Sequence, residues 1–129
     1  LVRRYHADIA AADARSIADV LKRYVSSDWH WRGMHPFHDL KGPEAVAETF
    51  WAPLMTAMNR IQRRPDIFIA GLNEIDGFKG VWVVQMGHLM ALFDKPWLGI
   101  RPTSKIVMLR FVEFNRVWSP SCPTRSYDA

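Results

Sequence analysis

The chain has 129 residues, enough for one domain with its own core, and its 49% hydrophobic and 23% charged content excludes a disordered or fibrous protein. The net charge of +4 comes from scattered basic residues, tightest at Arg60, Arg63 and Arg64. With no recognisable nucleic-acid module beside them, this argues against nucleic-acid binding. A single cysteine, Cys122, excludes an internal disulfide and points to a reducing, cytoplasmic compartment, and no apolar run is long enough for a membrane span.

The first six residues contain no apolar segment of signal-peptide type, and the missing initial Met leads us to expect that the natural chain starts further upstream. Residues 3–25 read as helical, with Ile9, Ile17, Val20, Leu21, Tyr24 and Val25 at helical spacing. Asp13 suits the cap of a second helix after a short break, so one bent helix and two short ones both fit.

After Ser26-Ser27-Asp28 the stretch Trp29-His30-Trp31-Arg32 alternates aromatic and polar residues, as a short strand does. Gly33 and Pro36 then break regular structure. His30, His35, His38 and Asp39 crowd into ten residues, which raises a metal site as one reading, but their spacing matches no zinc motif. The plainer reading is a rim loop whose histidines are solvated or bond to backbone.

Pro43 and Glu44 suit the first turn of a helix over residues 43–58, with Val46, Phe50, Leu54, Met55 and Met58 on one stripe. Pro53 predicts a kink near Thr49 and Phe50, or a break. Such a stripe describes plain core. Arg64-Pro65 is expected to close a surface turn carrying Arg60, Arg63 and Arg64, with a strand following over residues 66–74. Asp76-Gly77 marks a turn. Gly80 opens the longest strand, residues 81–94, where neither face is strongly polar and both are expected to be buried. Gln85 and His88 lie on its opposite faces.

Residues 97–117 organise the rest. A turn segment, Gly99-Ile100-Arg101-Pro102-Thr103-Ser104, leads into a strand from about Lys105 to Val117. Arg110 and Glu113, three apart, face opposite sides of it, with Val107, Leu109, Phe111, Glu113 and Asn115 sharing one side. If that side lines a cavity, Glu113 is a carboxylate in an apolar wall and suits acid/base work; otherwise it pairs with a cation or sits at a strand end.

Gly99-Ile100-Arg101-Pro102-Thr103-Ser104-Lys105, followed by Phe114-Asn115-Arg116-Val117, resembles the Gly-Ile/Met-Pro-Pro-Thr…Phe-Arg-Val pattern of SnoaL-like polyketide cyclases, within the nuclear transport factor 2-like superfamily. The resemblance covers roughly residues 3–117. It implies an α+β domain in which helices pack on a cone-shaped, curved, mostly antiparallel sheet around a pocket, and it favours two N-terminal helices. It also implies cofactor-independent acid/base chemistry on a small apolar carbonyl or polycyclic substrate, of cyclase, isomerase or hydratase type. On that reading the catalytic candidates are Glu113, His30 and His35, and the substrate-binding candidates are Trp31, His38, Phe50, Trp51, Gln85, Trp97 and Phe111. No metal or other cofactor is required.

The tail, residues 118–129, departs from the family. An Asp-Gly turn and a further strand carrying the acid/base carboxylate are expected after Val117; Ser119-Pro120-Ser121-Cys122-Pro123 stands there instead. Asp128 falls near the family distance without matching surroundings, and Cys122 has no identifiable base. The altered tail keeps a second function class open: a non-catalytic small-ligand-binding or dimerisation module. A third is an interaction protein using an open sheet face. A homodimer is expected on either account, from the apolar strand faces and the edge left by a missing strand.

Overall fold

The computed structural model describes residues 1–118; the expectations for Cys122 and Asp128 lie outside the described residues. The class is α+β, with short helices and antiparallel sheet. Chain order is α1 (Val2–Ala11), α2 (Ile17–Lys22), β1 (His30–Arg32), β2 (Asp39–Lys41), α3 (Pro43–Val46), a π-helical turn (Ala47–Trp51), α4 (Ala52–Ala57), β3 (Met58–Asn73), β4 (Gly80–Phe93) and β5 (Ile106–Val117). β1 and β2 form one antiparallel pair, and β3-β4-β5 form a three-stranded sheet in that order. No helix among the described residues is long and apolar enough to cross a membrane. The chain divides into two compact units, residues 1–62 with 90–107, and residues 63–89 with 108 onward.

In the first unit the N-terminal stretch forms two helices, and Asp13 makes the break. Its carboxylate accepts hydrogen bonds from the backbone N–H of Ser16 (2.9 Å) and Arg15 (3.0 Å) and from the Ser16 hydroxyl (2.9 Å), which turns the chain into α2. The Ser16 backbone bond, then the Ser16 hydroxyl, hold the Asp13 carboxyl below its ordinary range. A lowered pKa means that the stabilisation exists above the unfolded value and is lost as pH falls through the folded one. Asp13→Ala is therefore expected to lower Tm at about pH 7, and the gap to wild type to close by about pH 2; thermal melts followed by circular dichroism check this.

α1 buries Val2, Tyr5, His6 and Ile9, and α2 buries Ile17, Val20 and Leu21. The Tyr24 hydroxyl donates to Asp8, tying the end of α2 back to α1, and Lys22 pairs with Glu44 at 2.8 Å. Of the kink and the break expected in the helix over residues 43–58, the structure has a break, with a π-helical turn between α3 and α4. Pro53 has no N–H and its ring would crowd the carbonyl of Thr49, and the widened π-helical turn lies directly ahead of it. Leu54 and Val46, 1% and 0% exposed, lock these segments into the core with Ile17 and Leu21.

Two hydrogen bonds of 3.1 Å run from the N–H groups of Asp94 and Lys95 to the Ala57 carbonyl, capping α4 with the chain that leaves β4. The turn beyond is tight: Trp97 and Ile100 bond each other both ways, while Leu98 (φ 53°) and Gly99 (φ 75°) occupy the left-handed region, the type I′ pattern.

The long strands correct two sequence expectations. β3 does not start at Asp66 but runs from Met58, so Arg60, Arg63 and Arg64 lie in a strand and not in a turn. Pro65 is tolerated because β3 is at an edge of the sheet among the described residues, where a missing N–H costs no ladder bond. The faces of β4 are also unequal. Val83, Gln85, Gly87 and Leu89 are buried, while Val84, Met86 and His88 are partly exposed. Gly87 is required where it stands: a Cβ there would meet the Arg64 carbonyl oxygen at 2.1 Å and the Pro65 Cα at 2.8 Å. The β3–β4 connection is pinned by Trp82 Nε1 donating to the Phe78 carbonyl at 2.7 Å, and by Asn73 Nδ2 donating to the same oxygen at 3.1 Å.

Candidate ligand-binding site

Three strands of the second unit bring together side chains that lie 22 to 50 residues from Arg63 in sequence. Arg63 on β3, Gln85 on β4 and Phe111, Glu113 and Asn115 on β5 converge on one side of the sheet, because alternate strand residues share a face. Arg63 Nη1 donates to Gln85 Oε1 and to Glu113 Oε2, each at 2.9 Å. Asn115 Nδ2 donates to Glu113 Oε1 at 2.7 Å. The guanidinium lies 4.6 Å from the centre of the Phe111 ring, a cation–π distance.

The burial of this group explains its completeness. Gln85 is 3% exposed, and the Arg63 and Glu113 side chains are 12% and 26% exposed. A charge held away from water at that depth needs an opposite charge and several hydrogen bonds. Each oxygen of Glu113 is engaged, one by a cation and one by an amide. Among the described residues both Arg63 hydrogen bonds leave from Nη1, which leaves the Nε and Nη2 donors of the planar fork for an oxygen of a ligand.

In the first unit the aromatic candidates also come together. Phe50 has its ring centre 5.1 Å from Trp31 and 5.0 Å from both Phe37 and Trp51, and Phe37 stacks on Trp97 at 6.2 Å. Trp51 and Trp97 have buried Nε1 donors that find no partner among the described residues. An open groove of about 570 Å³ runs beside this cluster, lined by Glu48, Thr49, Pro53, Pro96, Trp97 and Leu98 among others.

The three histidines part company. His30 on β1 points its Nε2 at Asp39 across the two-stranded pair, 3.6 Å away. His35 and His38 are exposed on the connecting loop, with rings edge to face at 5.4 Å. Among the described residues no group of three His, Cys, Asp or Glu side chains is placed to hold a metal ion.

Of the candidates read from sequence, the structure thus gathers Gln85, Phe111 and Glu113 in one unit and Trp31, Phe50, Trp51 and Trp97 in the other. Sequence reasoning missed Arg63 as the centre of the polar group. The available signal was parity: on a strand extended back to Met58, Arg63 falls on the face opposite Asp66, but Pro65 read as a strand boundary hid it. Asn115 was recognised only as sharing the Glu113 face.

Comparison with protein-family models, with curated proteins and with solved structures finds no significant match to this chain.

Proposed function

We propose that this chain is a small-ligand-binding module in which Arg63, braced by Glu113, Gln85 and Phe111, receives an oxygen of an apolar carbonyl or carboxylate compound. The observation that carries this reading is the engagement of both Glu113 oxygens, by Arg63 and by Asn115. A carboxylate so held is an anchor for the guanidinium and a poor acceptor for a substrate proton. Phe111 beneath the guanidinium supplies apolar surface next to the polar contact, the usual composition of a small-molecule site. The SnoaL-like resemblance supports an apolar carbonyl ligand, and the sequence after Val117, which lacks the family's Asp-Gly turn, favours binding without turnover.

The second reading keeps the resembled chemistry, a cyclase or isomerase with Glu113 as base and His30 and His35 as partners. One observation favours it: the Glu113 side chain retains 26% exposure, so a substrate could approach it. Calorimetric titration with 2-naphthoic acid and with 2-acetonaphthone separates the two. On the binding reading, Arg63→Lys, which keeps the charge and loses the fork, weakens 2-naphthoic acid about tenfold, and Glu113→Gln changes affinity less than about threefold. Unchanged affinity in Arg63→Lys contradicts it, as does a proton-exchange activity at the carbon next to the ketone that Glu113→Gln abolishes.

A further inference from the structure

The first unit carries a groove that the Arg63 site does not use. One wall comes from the π-helical turn and α4, which give Glu48 and Pro53, and the other from the turn after β4, which gives Pro96, Trp97 and Leu98. An enclosed cavity suits a small molecule, most of whose surface it buries. An open groove of about 570 Å³ instead meets one side of an extended chain.

The turn in that second wall is strained. Leu98, at φ 53°, occupies a type I′ position that Asn, Asp or Gly ordinarily fills, and Gly99 follows it. The Leu98 side chain is 47% exposed, so burial in the core does not repay the strained backbone. A leucine that breaks the local backbone rule at the rim of a groove points to a side chain retained for contact.

The polar groups of the groove define what fits it. Glu48 is the one ionisable residue among those lining it, and it forms no ion pair among the described residues, in a chain of net charge +4. A cationic side chain complements it. Trp97 has a buried Nε1–H with no acceptor among the described residues, which a carbonyl oxygen of an occupant would satisfy. Pro53, Pro96 and Leu98 offer no side-chain acceptor for the backbone N–H groups of an incoming chain. Proline has no such group to satisfy, and in the polyproline II conformation its carbonyls stay free and its rings pack on aromatic walls.

We infer that this groove binds a proline-rich peptide segment in the polyproline II conformation, with a lysine or arginine of that segment paired to Glu48 and one of its carbonyls on Trp97 Nε1. The test titrates the full chain into a fluorescein-labelled peptide, Pro-Pro-Leu-Pro-Pro-Arg, and into the same peptide ending in Glu. Fluorescence anisotropy reads the binding, and circular dichroism checks the folding of every protein variant. The wild type is expected to bind the Arg peptide with a Kd of about 100 μM and the Glu peptide at least about tenfold more weakly. Glu48→Lys, at an exposed position, reverses that order. Leu98→Asn weakens the Arg peptide about fivefold yet keeps or raises the urea midpoint, because asparagine suits the left-handed turn. An Arg peptide that fails to saturate by about 1 mM protein overturns the inference. So does equal binding of the two peptides by the wild type, which would mark a general apolar surface. A preference that Glu48→Lys leaves unreversed, or a Leu98→Asn protein with full affinity, overturns it as well.

Discussion

Gly87→Ala is expected to destabilise the fold by about 3–5 kcal/mol, among the largest effects of any single-methyl addition. A Cβ at this position would sit 2.1 Å from the carbonyl oxygen of Arg64 and 2.8 Å from the Pro65 Cα, and both are backbone atoms. A flexible side chain could swing aside; a strand backbone has to shift bodily. The shift would fall at the point where Arg63 leaves β3 to meet Gln85 and Glu113, so the polar group is disturbed together with the strand pairing. Urea unfolding monitored by tryptophan fluorescence reads the loss as a lower midpoint. A control, Gly71→Ala, adds the same methyl on β3 where nothing lies within 4 Å, and is expected to cost less than about 1 kcal/mol.

Arg63→Ala is the second large effect, about 2–3 kcal/mol. Removing one partner of a buried pair leaves the other charge without compensation, which costs about 3–5 kcal/mol in a fully dry site. Here the partial exposure of Glu113, 26%, lets water recover part of it. Gln85, 3% exposed, also loses the donor to its Oε1. Glu113→Ala is expected to cost about as much, and the double variant far less than the sum, with a coupling of about 1–2 kcal/mol. Urea midpoints of the four proteins complete the cycle. Additive losses would mean that the two residues act independently and that Glu113 is not the anchor of Arg63.

These residues also show how far the sequence was legible. The alternation along residues 106–117 put Glu113 and Arg110 on opposite faces, and the structure has them there, one bonded to Arg63 and the other to Asp66 and His88. Periodicity also located α1, α2 and the long strand β4, because each buries a stripe or face of its own. The π-helical turn was legible only as a disturbance ahead of Pro53, since local sequence states that the α-ladder fails and not how the chain absorbs the failure. β3 was misread for a related reason. Proline argues against a strand interior but not against an edge, and edge position depends on which strands pair, which no local pattern contains. Arg63 consequently looked like one of three surface cations, when its environment is fixed by residues more than twenty positions away.

In the proposed site Arg63 makes the ligand contact and Glu113 braces it, and one measurement reaches both groups. Two-dimensional ¹H–¹⁵N spectra of the arginine Nε–H groups, recorded while 2-naphthoate is added, follow Arg63 directly, with ¹³C-labelled glutamate reporting the Glu113 carboxyl in the same sample. A saturable shift of the Arg63 Nε–H signal, with the Glu113 carboxyl signal unmoved, is the predicted result. Binding that leaves the Arg63 signal in place, or that moves Glu113 as its bond to Arg63 is given up, would contradict it.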